Sequence, residues 1–179
     1  MRRADLEHII RAAADVAQDD EIVVIGGQAI LAEFPDAPPA LLVSQEADVY
    51  PRNHPDRATA IDADLGDGSF FHEAFGYFAH GVGPETARAP EGWEDGLVAI
   101  RVETGRGGVA TGWCLEAHDL VLAKCAATRA RDWEYAEIAM SSSLVDPDEL
   151  LRRARALPLA PAQLDHLLRM LSAMTERVG

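Results

Sequence analysis

Positive charge is what this sequence has least of. Its 179 residues hold 16 Lys and Arg against 30 Asp and Glu, a formal charge of −14 at pH 7. A protein that grips nucleic acid by its phosphates shows the reverse balance, so extended nucleic-acid binding is not expected. Lysine is nearly missing: Lys124 is the single one, and the other fifteen basic residues are Arg. Cys114 and Cys125 are too few for a disulfide framework and lack the spacing of a metal knuckle. No apolar run approaches the roughly 20 residues that a membrane span needs. The arginines at positions 2 and 3 have no apolar stretch behind them, which a secretion signal would require. A cytoplasmic protein with reduced thiols is the expectation.

What remains is an ordinary globular composition, 48% hydrophobic and 26% charged, able to bury a core in one domain or a small two-lobed unit. The acidic excess is uneven: residues 1–116 carry 8 basic and 21 acidic groups, whereas residues 117–179 carry 8 and 9. Any contact with a polyanion therefore falls to the second part.

Apolar residues at 3–4 spacing (Leu6, Ile9, Ile10, Ala13, Val16, Ala17) predict an amphipathic helix over 4–18. Ile22 to Ile25 is wholly apolar and β-branched, and Gly26-Gly27 ends it, as in a buried strand. A helical pattern follows from Gln28 to Phe34, then a strand from Leu41 to Tyr50 and a helix near 56–65. Residues 66–83 form a glycine-punctuated aromatic segment, and a proline- and glycine-rich loop occupies 83–96. Leu97–Glu103 and Gly108–Leu115 read as a hairpin. Helices are expected near 117–129, 132–141, 147–156 and 161–176, with Asp146-Pro147 and Ala160-Pro161 as starts. The fold class is α/β (α+β): an α/β lobe over residues 1–116, whose strands share one mixed sheet, and a helical lobe over 117–179, packed as one compact unit.

Two features carry chemistry. Alternate residues of a strand share a face, so Ser44, Glu46, Asp48 and Tyr50 point one way. Carboxylates two residues apart lie about 6–7 Å from each other at their Cα atoms, close enough to converge on one or two divalent ions. Their repulsion favours a cation, and hard oxygen ligands favour Mg²⁺ or Mn²⁺ over zinc. The second feature is Gly26-Gly27, where a side-chain-free turn and the start of the next helix let backbone N–H groups approach a phosphate. Metal carboxylates facing a phosphate-cradling turn suit phosphoryl or nucleotidyl transfer. Taken singly, the glycines also serve as a plain tight turn and the acids as a solvent face.

Val24-Ile25-Gly26-Gly27-Gln28-Ala29, followed by Ser44-Gln45-Glu46-Ala47-Asp48-Val49-Tyr50-Pro51, resembles the nucleotidyltransferase-like proteins of the polymerase-β-type superfamily. More narrowly, the chain is similar to the bacterial DUF6036 family and its relatives among abortive-infection and toxin–antitoxin nucleotidyltransferases. That likeness extends through Phe71-His72-Glu73, Gly76-Tyr77-Phe78, Pro90-Glu91-Gly92-Trp93, Asp119 to Lys124, and Arg129-Ala130-Arg131-Asp132. The resemblance implies transfer of NMP from an NTP to a hydroxyl on protein, RNA or a small molecule. Glu46 and Asp48 would be catalytic metal ligands for Mg²⁺ or Mn²⁺, and Gly26, Gly27 and Ser44 would lie at the nucleotide. Active members add a third carboxylate on a later strand, for which Glu103 is the positional candidate. The sequence departs from the superfamily in having Glu46 where Asp is usual and in a longer spacing between Gly27 and Glu46. The competing readings are a nucleotidyltransferase fold that has lost catalysis and binds a protein partner, as an antitoxin would, and a bare scaffold.

In the helical part, Lys124 sits among apolar neighbours, and either it or Arg129 would hold a nucleotide phosphate. The alternative is that Lys124, Arg129 and Asp132 form a pairing network that fixes the two lobes. His72 reads as a hydrogen-bonded packing residue, and Trp93, Trp113 and Trp133 as core or lobe-interface residues. Arg152-Arg153-Ala154-Arg155 is a basic turn on a solvated helix.

Overall fold

The structure is a computed structural model that describes residues 1–178. Helix α1 (Arg3–Ala17) buries the stripe of Leu6, Ile9, Ile10, Ala13 and Ala17, and Asp5 accepts the Arg2 N–H at its start at 2.8 Å. It lies on a five-stranded mixed sheet of order β3-β2-β1-β5-β4, formed by β1 (Glu21–Val24), β2 (Glu46–Pro51), β3 (Phe78–Gly81), β4 (Val98–Glu103) and β5 (Val109–Cys114). Strand β1 runs antiparallel to β2 and parallel to β5, and β4–β5 is the expected hairpin. The central strand is covered on both faces, which explains its unbroken apolar run. Ile22 and Val24 join the main core, whereas Val23 and Ile25 join a smaller cluster with Tyr50 and Val82, against which Trp93 and Trp113 pack.

Two local expectations need correction. Residues 28–34 do not form an α-helix but a six-residue 3₁₀ segment, Gly27–Ala32. Its residues Gln28 to Leu31 are all buried, so it has no amphipathic stripe with which to dock as a longer helix. The acidic strand starts at Glu46, not Leu41. Pro39–Leu41 is a 3₁₀ turn, and the Ser44 hydroxyl takes the Glu46 N–H at 3.0 Å. Within the aromatic segment, for which the sequence pattern assigns no element, α3 (Phe70–Phe75) ends at Gly76 with φ 75°, and β3 follows. Phe71 and Phe75 pack on the imidazole of His8 in α1, with ring centroids 5.0 and 4.6 Å away, and Tyr77 Oη lies 2.8 Å from its Nδ1. His72 stays structural, with Nδ1 accepting the Gly68 N–H at 3.1 Å.

Helix α2 (Ala58–Leu65) packs on β3. Beyond the sheet, α4 (Ala117–Ala127), α5 (Ala130–Ser141), α6 (Pro147–Ala154) and α7 (Pro161–Val178) make up the helical region. Buried apolar residues of these helices, together with most of those of the sheet, belong to one continuous cluster that runs from Leu6 to Met174. An ionic clasp holds α6 to α4: Arg153 reaches Glu116 at 2.7 Å and Asp119 at 3.1 Å, and Glu116 itself accepts the first free N–H groups of α4. Among the described residues, no helix is long and apolar enough to cross a membrane.

Cys114 and Cys125 are fully buried, and burial pushes both thiols up to about 12. Thiolate is the reactive species, so the native protein should leave a disulfide reagent such as DTNB unreacted at pH 8, with both thiols appearing in denaturant. Titration of either thiol without denaturant would contradict this packing.

Candidate functional site

The site begins where β1 gives out. The Ile25 N–H continues the ladder to the Asp48 carbonyl at 3.0 Å, and the chain then leaves through Gly26. A Cβ on Gly26 would overlap Asp48 Oδ2, so the carboxylate lies directly on the turn. Glycine is favoured here by that close approach, since a side chain would push the Asp48 carboxylate aside, and not by the backbone angles, which are extended at φ −82° and ψ −178°.

Glu46 and Asp48 share one face of β2, as alternation requires. Directly beside Asp48 in the parallel ladder stands His80 of β3. Its Nδ1 lies 3.2 Å from Glu46 Oε1 and 3.1 Å from Asp48 Oδ1. The three residues each offer a ligand atom, all within 4.8 Å of one another. Burial, and then the charge of Asp48, raise the Glu46 carboxyl above its ordinary value. Burial alone would lower the His80 imidazole, but its hydrogen bond to Asp48 and the charge of both acids carry it above the usual histidine range. This is a crowded anionic pair with a cation-seeking geometry.

The second glycine meets the helical region. A Cβ on Gly27 would sit 3.2 Å from Lys124 Nζ, and the Tyr135 hydroxyl donates to the Gly27 carbonyl at 3.0 Å. Lys124 lies over the Tyr135 ring, 4.5 Å from its centroid, a favourable cation–π placement. Burial lowers its ammonium below the ordinary lysine value, and the charge of Asp132 opposes that drop. Asp132 is almost completely buried. It accepts from Arg129 Nε at 2.6 Å and faces Lys124 Nζ at 3.7 Å. The pairing network read from the sequence is therefore present, and it presents both cations to the same opening.

That opening is a cleft of ≈ 350 Å³, bounded by Ile25, Gly26, Gly27 and Asp48 on the sheet side, by Ala123, Lys124 and Arg129 on the helical side, and by Thr86, Ala87 and Arg88 on a loop. Five residues expected from the sequence thus gather here: Gly26, Gly27, Asp48, Lys124 and Arg129. Glu46 adjoins them through Asp48 and His80. Ser44 is not on the cleft; its carbonyl accepts from Gln28 Nε2 at 3.0 Å and its hydroxyl orders the entry to β2.

Glu103 is not brought to the site. The registers place Val98, not Glu103, level with Cys114 and Val24. Glu103 lies five residues further along β4, roughly 17 Å down the strand, at the opposite end of the sheet. There its carbonyl accepts from Arg11 Nε at 2.7 Å. The group that the structure sets against the two acids is His80. The sequence signal for it was Phe78-Ala79-His80-Gly81, too short a run to stand out as a strand. Arg88 was likewise unmarked, because the loop that carries it has no periodicity.

A buried acid between two cations is a sensitive point. Replacing Asp132 with Ala should destabilise the protein by about 3 kcal/mol, since it leaves Lys124 as an uncompensated, largely buried charge. Urea unfolding would measure this. A loss within 0.5 kcal/mol, the range usual for surface changes, would show that the network does not support the cleft.

A family model described as DUF6036, a nucleotidyltransferase of unknown function, matches residues 4–157, from α1 to just past α6. No curated protein and no solved structure matches the chain.

Proposed function

The chain belongs to the DUF6036 nucleotidyltransferase family, and from that premise we propose that it transfers NMP from an NTP to a hydroxyl on a protein, an RNA or a small molecule. The acceptor oxygen would attack the α-phosphorus while the bond to the β-phosphate oxygen breaks, and pyrophosphate leaves. The observation that supports this reading best is the contact between Asp48 and Gly26, which makes the acidic cluster and the phosphate-sized cleft one unit.

The two carboxylates suit a divalent cation such as Mg²⁺ or Mn²⁺, because they converge with partial access to solvent. When bound there, the ion would neutralise phosphate charge and favour in-line displacement. Glu46 and Asp48 would hold it. Lys124 and Arg129, fixed by Asp132 on the opposite wall, would take the β- and γ-phosphate oxygens by charge-assisted hydrogen bonds. Gly26 and Gly27 keep the sheet-side wall free of side chains, so the polyphosphate can lie close to the backbone. The six-residue 3₁₀ segment after them supplies little dipole, which leaves the two cations as the main phosphate contacts.

A second reading is favoured by one observation. The acid expected to complete an active set, Glu103, lies at the far end of the sheet. A nucleotidyltransferase fold without catalysis, acting as an antitoxin-like binding module for a protein partner, would tolerate that. A toxin–antitoxin or phage-defence setting is our proposal for either reading, and it rests on the likeness of the motif succession to those groups.

The two readings part in one assay. The protein is incubated with labelled NTPs, Mg²⁺ or Mn²⁺ and cell extract, and label is sought on protein, RNA or small molecules. We expect transfer by the wild type and a loss of about 10³-fold or more in Asp48→Ala, in line with removal of a charge-stabilising group, with part of the NTP affinity retained. Gly27→Val should lose both, because its side chain would displace Lys124. No transfer with any NTP, together with tight capture of a protein partner, would put the binding-module reading in place of the enzyme.

A further inference from the structure

The reading above leaves open which ion the acids hold, and the following inference rests on it. We infer that Glu46, Asp48 and His80 form a three-ligand site for a first-row transition-metal ion, Mn²⁺ or Co²⁺ in preference to Mg²⁺, with His80 as the third protein ligand.

The sheet itself builds the arrangement. Asp48 and His80 are direct partners in the β2–β3 ladder, and Glu46 lies two residues earlier on the same face. The ligand atoms are therefore fixed by backbone pairing on two strands, not by a loop. Without an ion, Nδ1 bridges the two carboxylates by contacts of 3.1 and 3.2 Å, and one ligand atom from each of the three residues lies within 4.8 Å of the others, close enough to face a single ion. All three side chains stay partly open, with relative exposures of 41%, 30% and 49% for Glu46, Asp48 and His80. Half of an octahedral shell is thus available to water and to a substrate phosphate entering beside Gly26.

The donor types decide the ion. Mg²⁺ takes oxygen ligands almost exclusively and gives up its water reluctantly. An imidazole nitrogen gains little as a ligand to it, yet binds Mn²⁺, Co²⁺ and their heavier neighbours well. Two carboxylates alone would have left Mg²⁺ competitive. Replacing the expected third acid by His80 lowers the anionic charge of the set by one and adds the softer donor, and both changes count against Mg²⁺.

Calorimetry of the whole protein with MnCl₂, CoCl₂ and MgCl₂ tests this without any turnover, supported by the visible spectrum of the Co²⁺ complex. We expect Mn²⁺ and Co²⁺ to bind on the order of tenfold or more tighter than Mg²⁺. His80→Ala should weaken Mn²⁺ by at least the roughly 10–100-fold that loss of a supporting group costs, and it should change the Co²⁺ spectrum. His80→Asp should narrow the gap between Mn²⁺ and Mg²⁺. The side chain is half exposed, so both variants should fold, and their melting curves without metal serve as the control. Equal binding of Mg²⁺ and Mn²⁺ that His80→Ala leaves unchanged would overturn the inference while the two-carboxylate site and the transferase reading stand. No binding of any of the three ions by the wild type would overturn both.

Discussion

The close approach of one carboxylate to a residue without a side chain organises this molecule. Strand β1 ends where its last ladder bond, from Ile25 to Asp48, is made, and Gly26 follows so close to Asp48 that a Cβ there would displace its carboxylate. Because Asp48 is held against the turn, the next residue, Gly27, is delivered to Tyr135 and Lys124 of the helical region. One backbone step therefore joins the acidic face of the sheet to the cationic face of the helices. The cleft between them follows from it.

Charge placement follows a related logic. A chain of net charge −14 that is to receive an anion must keep its few cations from pairing away on the surface. Asp132 does this from inside the protein: being almost fully buried, it draws Lys124 and Arg129 to one rim and leaves donor capacity on both. Two arginines elsewhere are absorbed by structure. Arg153 is consumed by Glu116, Asp119 and Glu149 in joining α6 to α4, and Arg106 pairs with Asp15 and Asp20 beside the hairpin. The basic turn at residues 152–155 is thus chiefly a clasp.

Much of this was legible in the sequence where a signal was long or chemically strong. Four β-branched residues ended by two glycines gave a central strand, alternation placed Glu46 and Asp48 on one face, and the 97–115 segment gave the hairpin. Short elements and global topology were not legible. Strand β3 has four residues bounded by glycines, fewer than alternation needs to show itself, and His80 was hidden with it. Glu103 failed for another reason: strand order and direction decide which end of a hairpin meets the acids, and both are tertiary properties. Ser44 pointed the right way on a strand that its own hydroxyl helps to shorten.

Strand β3 is an edge of the sheet, paired on one side only. Its other restraint comes from α2: the Ala58 carbonyl lies so near Gly81 that any side chain there would strike it. The imidazole of His80, one residue before that contact, is therefore carried on a strand seated against α2, whose Asp62 adds to the negative charge around it. Precision at the acidic cluster is inherited from the seating of α2, whose buried Ile61 and Leu65 fix it to the core. Evolution could retune the third position of the cluster, its tilt and its reach, by repacking α2 while every reactive side chain stayed the same.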